Sequence, residues 1–237
     1  MKPMQVEAGR ALDWFGAGWA MFMRAPGPWA ILALVTLVVL FVASIVPVLN
    51  YIALPFLTPL LQAGLTVSAR ASDSGAMPRV EDLWAPMNDP RTRNGLVALA
   101  IGAAVAQLAL IALVVVLVGS SILGAAIGGG AVLAGTSLFG GLAVLLVLAA
   151  VTMALLYAPI LVLEAGLAPV AALQGSFSAC LTNMGALAVA GLVLIVASVL
   201  ASLPLMLGWV LLIPVTIGAI WTSYKAIFPP VPRIPAG

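Results

Sequence analysis

The chain has 237 residues, 64% of them hydrophobic and 7% charged, with a mean hydropathy of +1.26 and a formal net charge of +2. Soluble domains carry about 25% charged residues, so this chain cannot coat a water-exposed exterior, and its nine scattered bases exclude the dense basic stripe of a nucleic-acid binder. With Cys180 as the only cysteine and no histidine, an intrachain disulfide, a thiolate zinc site and a histidine relay are excluded, and no cofactor is expected.

The charges fall at residues 2 to 24, 70 to 93, 164 and 225 to 233. The intervening stretches 25 to 69, 94 to 163 and 165 to 224 carry none and are each long enough to cross a bilayer twice. A crossing needs about 20 apolar residues, and backbone groups left unpaired in lipid are costly, which favours helices. The expected fold class is all-α, an integral membrane bundle of six transmembrane helices.

In chain order, residues 1–28 hold an interfacial helix, expected from residue 5 to 24. Leu12, Phe15, Trp19, Phe22 and Met23 share one arc of it, while Glu7, Arg10, Asp13 and Arg24 share the opposite one. Such a helix lies in the interface plane. Phe15, Trp19 and Phe22 with Arg10 and Arg24 form a candidate docking face for another membrane protein or anionic lipid; the simpler reading is a collar sealing the bundle. These charges among apolar positions do not have the order of a cleaved signal peptide. Pro26 and Pro28 then turn the chain into the membrane.

The six-helix domain occupies residues 29–228. Its spans are expected at about 29–48, 51–69, 96–118, 141–163, 186–206 and 208–227, followed by a short tail, 229–237. Trp29, Tyr51, Trp209, Trp221 and Tyr224 stand where interface anchors are expected. Residues 70 to 95 read as a compact loop broken by Pro78, Pro86 and Pro90, with Trp84 as its anchor. The eight glycines between 119 and 141 read as a flexible or re-entrant turn. They lack the Lys and the Ser or Thr of a phosphate loop. After Glu164, Pro169 opens a second interfacial helix in which Val170, Leu173, Phe177, Cys180, Leu181 and Met184 recur at helical spacing. A polar segment thus precedes a pair of helices three times, a loose repeat with little residue identity.

Lysine and arginine mark the cytoplasmic side. With an even number of crossings all nine bases fall on one side, so both termini and the interfacial helices are expected in the cytoplasm.

Few residues offer chemistry. Glu164 is the only acid between residues 94 and 224; at a span end it is either an interfacial carboxylate or a proton-coupling site. Gln62 and Gln107 are single amides within spans, read as interhelical hydrogen-bond partners or as the lining of a pathway. Pro55, Pro59, Pro204 and Pro214 interrupt spans, as in kinked packing or in transporters with broken helices. Ser176, Ser178 and Cys180 could be nucleophiles only with an activating base, and none lies nearby in the sequence.

Three segments carry a resemblance. Gly18, Trp19, Phe22, Pro26 and Trp29 form one, Ala63–Gly64–Leu65 after Pro59 the second, and the third runs from Ala172 and Leu173 through Ser176, Phe177, Ala179, Cys180 and Leu181 to Asn183, after Tyr157–Ala158–Pro159. Over residues 10 to 227 the chain resembles a family of uncharacterised multi-pass inner-membrane proteins of proteobacteria, itself similar to the membrane domains that accompany some glycerophosphodiester phosphodiesterases. The resemblance implies a bacterial inner-membrane location and no catalytic residue. The expected function is non-catalytic, a scaffold, assembly or accessory subunit partnered by the lipid bilayer. The alternative is a transporter or channel for an apolar or lipid-like solute.

Overall fold

The computed structural model describes residues 3–203 and 207–229, with only the backbone of residues 121 and 123–136. The last residues of the expected fifth span, 204–206 with Pro204, and the tail from residue 230 lie outside the described residues. The described chain is all-α: α1 (Arg10–Arg24), α2 (Pro26–Ser44), α3 (Asn50–Asp73), α4 (Pro90–Leu156), α5 (Ala158–Ala165), α6 (Pro169–Thr182), α7 (Met184–Ser202) and α8 (Trp209–Ile227), with short 3-10 turns at Val80–Leu83 and Ala85–Met87. Six segments are long and apolar enough to cross a membrane: α2, α3, Pro90–Ser120, Ser137–Ala165, α7 and α8.

The helical run of α4 covers 67 residues. At 1.5 Å per residue a straight helix of that length would reach about 100 Å, far beyond a hydrocarbon core of about 30 Å. It is not straight. A β-carbon built on Gly140 would lie 3.5 Å from the Leu117 side chain, and one on Gly95 would lie 2.8 Å from Cγ1 of Val162. Both pairs centre on one point between residues 128 and 129, so the run reverses between Ser120 and Ser137 and its arms lie antiparallel. The reversal falls in the expected glycine-rich turn, but the backbone there stays helical. Asp89 caps the N-terminus of α4, accepting from Arg91 N–H at 3.1 Å and the Thr92 hydroxyl at 3.0 Å. Those hydrogen bonds, the Arg91 N–H first, hold its carboxyl below the usual carboxylate range.

The charged segments gather at one end of the bundle. Arg70 reaches Glu164 at 2.8 Å, Lys225 reaches Asp73 at 2.6 Å, and Met4 N–H donates to the Ile227 carbonyl. At this end the helices pack closely: Trp29, Leu32 and Ala33 of α2, Leu96 and Leu99 of α4, and Ile160 and Leu161 of α5 are all buried. Toward the other end the helices splay, leaving Phe41, Val115, Leu145 and Val199 exposed by 60% or more. α8 is the central post, with 56% of its apolar window buried, against 11% and 6% for the two arms of α4.

The two interfacial segments pack on the bundle through their small residues. α1 begins at Arg10 rather than residue 5, because the backbone of Met4 and Val6 is held by Ile227 and Asn183 instead of by a helix. It packs on α8 through Ala11, Trp14, Gly18 and Met21. Leu12, Trp19 and Met23 of the expected apolar arc stay exposed, and Phe15 and Phe22 are half-buried. Likewise α6 buries Ala172, Ser176, Ala179 and Cys180, while its Val170 and Leu181, and Met184 at the start of α7, face outward. Lipid tails are as apolar as leucine, so helices in a membrane associate through close packing of small residues. A β-carbon on Gly18 would strike the Val215 carbonyl, and one on Gly218 would lie 2.6 Å from Cα of Gly18. Gly64 plays the same part for the turn at Val80–Leu83, whose Leu83 backbone lies against it.

Three of the expected anchors lie inward. Trp29 is fully buried with its Nε1 unpartnered, and Tyr224 is 6% exposed. Trp221, equally buried, donates from Nε1 to Asp73 at 3.3 Å.

Candidate functional site

The most elaborate polar construction surrounds a break in the second arm of the α4 run. At Tyr157–Ala158–Pro159 the helix stops and restarts as α5, because Pro159 has no N–H and its ring crowds the preceding turn. In lipid the freed groups need partners, and two neighbouring helices supply them. Ser176 of α6 accepts from the Tyr157 N–H at 3.0 Å and donates to the Met153 carbonyl at 2.6 Å, so its hydroxyl is spliced into the place of one i to i−4 bond. The Cys180 thiol meets the same Met153 carbonyl at 3.4 Å. Gln62 of α3 donates from Nε2 to the Leu156 carbonyl at 2.6 Å. The Tyr157 hydroxyl shares a hydrogen bond of 2.9 Å with Ser223 of α8, and its ring meets Phe228 edge-on.

At the charged end, Glu164 stands at the close of α5, where Gly166 at φ +62° turns the chain out of the helix. Its carboxylate pairs with Arg70, whose side chain is half exposed. Asp73 accepts from both Lys225 and Trp221, and Arg24 reaches the Ser72 carbonyl at 3.5 Å. Asn183, between α6 and α7 and 2% exposed, accepts from Val6 N–H at 2.7 Å and donates to the carbonyls of Met4 and Ala179, both at 3.0 Å. It ties the N-terminal segment to the bundle.

Two cavities flank the second arm of α4, and Leu148 lines both. The larger, about 560 Å³, lies among Trp14, Phe15, Met153, Leu187 and Ile220 and is almost wholly apolar. The smaller, about 410 Å³, lies between α3 and the two arms. Asn50, Tyr51, Thr58, Gln62 and Gln107 give it polar walls, and among the described residues no acidic or basic side chain lines it. The Asn50 Oδ1 is buried without a hydrogen-bond partner.

The residues singled out by sequence are thus distributed. Gln62 and Gln107 share the smaller cavity, although Gln62 is also committed to the broken helix. Glu164 stands apart, in an ion pair at the charged end. Phe15 lines the larger cavity, while Trp19 lies outward, its ring centroid 6.0 Å from that of Phe22. Arg10 pairs with Asp13 at 3.6 Å on the exposed side of α1, and Arg24 faces Ser72. Among the nucleophile candidates, Ser176 is consumed in backbone hydrogen bonds, and burial pushes the Cys180 thiol up to about 11. Sequence reading did not single out Tyr157, Asn183 or Ser223 as structural polar residues. For Asn183 a signal existed, an amide placed at the close of an uncharged helix.

These features define a polytopic α-helical membrane protein with a broken helix held by neighbouring side chains and two cavities at membrane depth. No protein-family model, curated protein or solved structure matches the chain.

Proposed function

We propose that this protein is a non-catalytic scaffold, assembly or accessory subunit of the bacterial inner membrane, with both termini in the cytoplasm. The observation that carries the reading is the unequal packing of the bundle. One end is closed by buried small residues and a connected polar network, while the other holds its helices apart and presents Phe41, Val115, Leu145 and Val199. Such a body has a rigid foot and a wide apolar surface at which a partner's helices can pack. The location and orientation rest on the bases in the segments at the charged end and on the resemblance to proteobacterial inner-membrane proteins. The hydroxyl and thiol best placed to be nucleophiles are occupied as hydrogen-bond partners of Met153, which favours a structural role for them.

A photo-crosslinking residue placed at Phe41 or Val199 in cells is expected to yield one discrete protein adduct of constant size. Lipid adducts alone at both positions would sink the proposal.

A second reading, passage of an apolar or lipid-like solute, draws on the smaller cavity with its amides and no charge. On that reading, proteoliposome flux is lost when Gln62→Leu and Gln107→Leu are combined.

A further inference from the structure

The smaller cavity holds more hydrogen-bonding capacity than the protein satisfies. Among the described residues the Gln107 carboxamide has no hydrogen-bond partner, although it lies midway along an arm that crosses the membrane. Gln62 uses its Nε2 on Leu156, and among the described residues its carbonyl oxygen has no donor. Asn50 Oδ1 is buried and unpartnered. Proline adds further acceptors. Pro55 lacks the N–H that would reach the Tyr51 carbonyl, and Pro59 lacks the one that would reach the Pro55 carbonyl, and all three residues line the cavity. Unmet amides and carbonyls in hydrocarbon are costly, so the cavity calls for an occupant that supplies both donors and acceptors.

The remaining features narrow its chemistry. Among the described residues no acidic or basic side chain lines the cavity, so a charged ligand would be left unpaired away from water. Leu54, Ala103, Leu110 and Leu155 make up the apolar part of the wall. The volume of about 410 Å³ falls in the range of small-molecule sites. From Asn50 to Gln62 the α3 wall runs about 18 Å, over half the depth of the bilayer core.

We propose that this cavity binds an uncharged amphiphile, whose hydrocarbon body fills the crevice and whose hydroxyl or amide end meets Gln107 and Gln62. The site does not rest on the scaffold reading: binding without any protein partner, or without transport, leaves it intact.

The test uses the full chain in phosphatidylcholine nanodiscs with three probes of matched length: monoolein, oleate and an alkane. Monoolein is expected to bind saturably at one per chain, with oleate about tenfold weaker or worse and the alkane unable to compete. Gln107→Leu is expected to weaken monoolein three- to tenfold, the loss of one amide hydrogen bond in a membrane. Ala106→Leu, which narrows the cavity without touching a polar group, serves as a second variant and is expected to weaken it at least as much. Ala188→Leu, in the larger cavity, is expected to change nothing. Absence of saturable binding, equal competition by the alkane, or unchanged affinity in both Gln107→Leu and Ala106→Leu would overturn the proposal.

Discussion

The hydroxyl of Ser176 stands inside the hydrogen-bond ladder of another helix, accepting the backbone N–H of Tyr157 at 3.0 Å. Because it also donates to Met153 at 2.6 Å, it bridges the two groups that an unbroken helix would join directly. A break made by Pro159 is thereby kept open and satisfied, and α6 is fastened across it. The same place receives Gln62 from α3 and Cys180 from α6. Three elements are therefore registered against one another at a single interrupted turn.

Removing that bridge leaves the buried Tyr157 N–H unpaired and the Met153 carbonyl with only the weak Cys180 thiol as donor. Ser176→Ala is expected to destabilise the fold by about 1–3 kcal/mol, measured by denaturant unfolding in detergent micelles. Amide exchange at Tyr157 is expected to rise in the same variant. Unchanged exchange there would mean that the helix closes on itself and that Ser176 does not hold the break.

The contact of Gly18 with Gly218 makes a second prediction. A side chain on Gly18 has nowhere to go but into the Val215 carbonyl, so Gly18→Ala is expected to push α1 off α8. Protease sensitivity of the first 25 residues reports it. Gly16 has open space within 4 Å of its β position, and there the same substitution is expected to stabilise by up to about 1 kcal/mol, by lowering the entropy of the unfolded chain. Equal effects at the two positions would show that the close approach does not matter.

Much of this architecture is legible in the sequence, and the reason is solvation. Uncharged runs between clustered charges leave helices as the economical solution in lipid, so the six spans and the single charged end follow from Arg70, Glu164, Lys225 and their neighbours. Helix faces were less legible. Hydrophobic periodicity ranks positions by apolarity, which decides burial when the surroundings are water but not when they are lipid. Leu12 and Trp19 in α1, and Val170 and Leu181 in α6, are the apolar residues that the pattern picks out, and they lie exposed rather than at the helix contacts. Gly18, Ala172 and Ala179, which the pattern underweights, make the contacts. Gln62 and Gln107 were recognisable as unusual in their spans. That they share one cavity follows from how the two arms of α4 pack on α3, a pairing that linear spacing does not encode.

Glu164 tests how much an ion pair at the bundle end matters. Its partner Arg70 is half exposed, and exposed pairs of this kind contribute about 0.2–1 kcal/mol. Glu164→Gln is expected to lower stability by no more than that and to leave the helix content by circular dichroism unchanged. A collapse of the fold would assign the carboxylate a deeper structural role.

Orientation is testable by thiol accessibility, though not through the native cysteine. Cys180 is fully buried, and burial raises its thiol to about 11, so little reactive thiolate is present near neutral pH. The wild-type chain is expected to remain unlabelled by a membrane-impermeant maleimide in both intact spheroplasts and inverted vesicles. Ser74 is exposed beside the Asp73–Lys225 pair, and Val48 is 80% exposed in the link between α2 and α3 at the splayed end. Positively charged links mark the cytoplasmic face, so Ser74→Cys is expected to label only in inverted vesicles and Val48→Cys only in spheroplasts. The opposite pattern would reverse the assigned topology, and labelling of both positions from one side would break the pairing of α2 with α3 as two crossings.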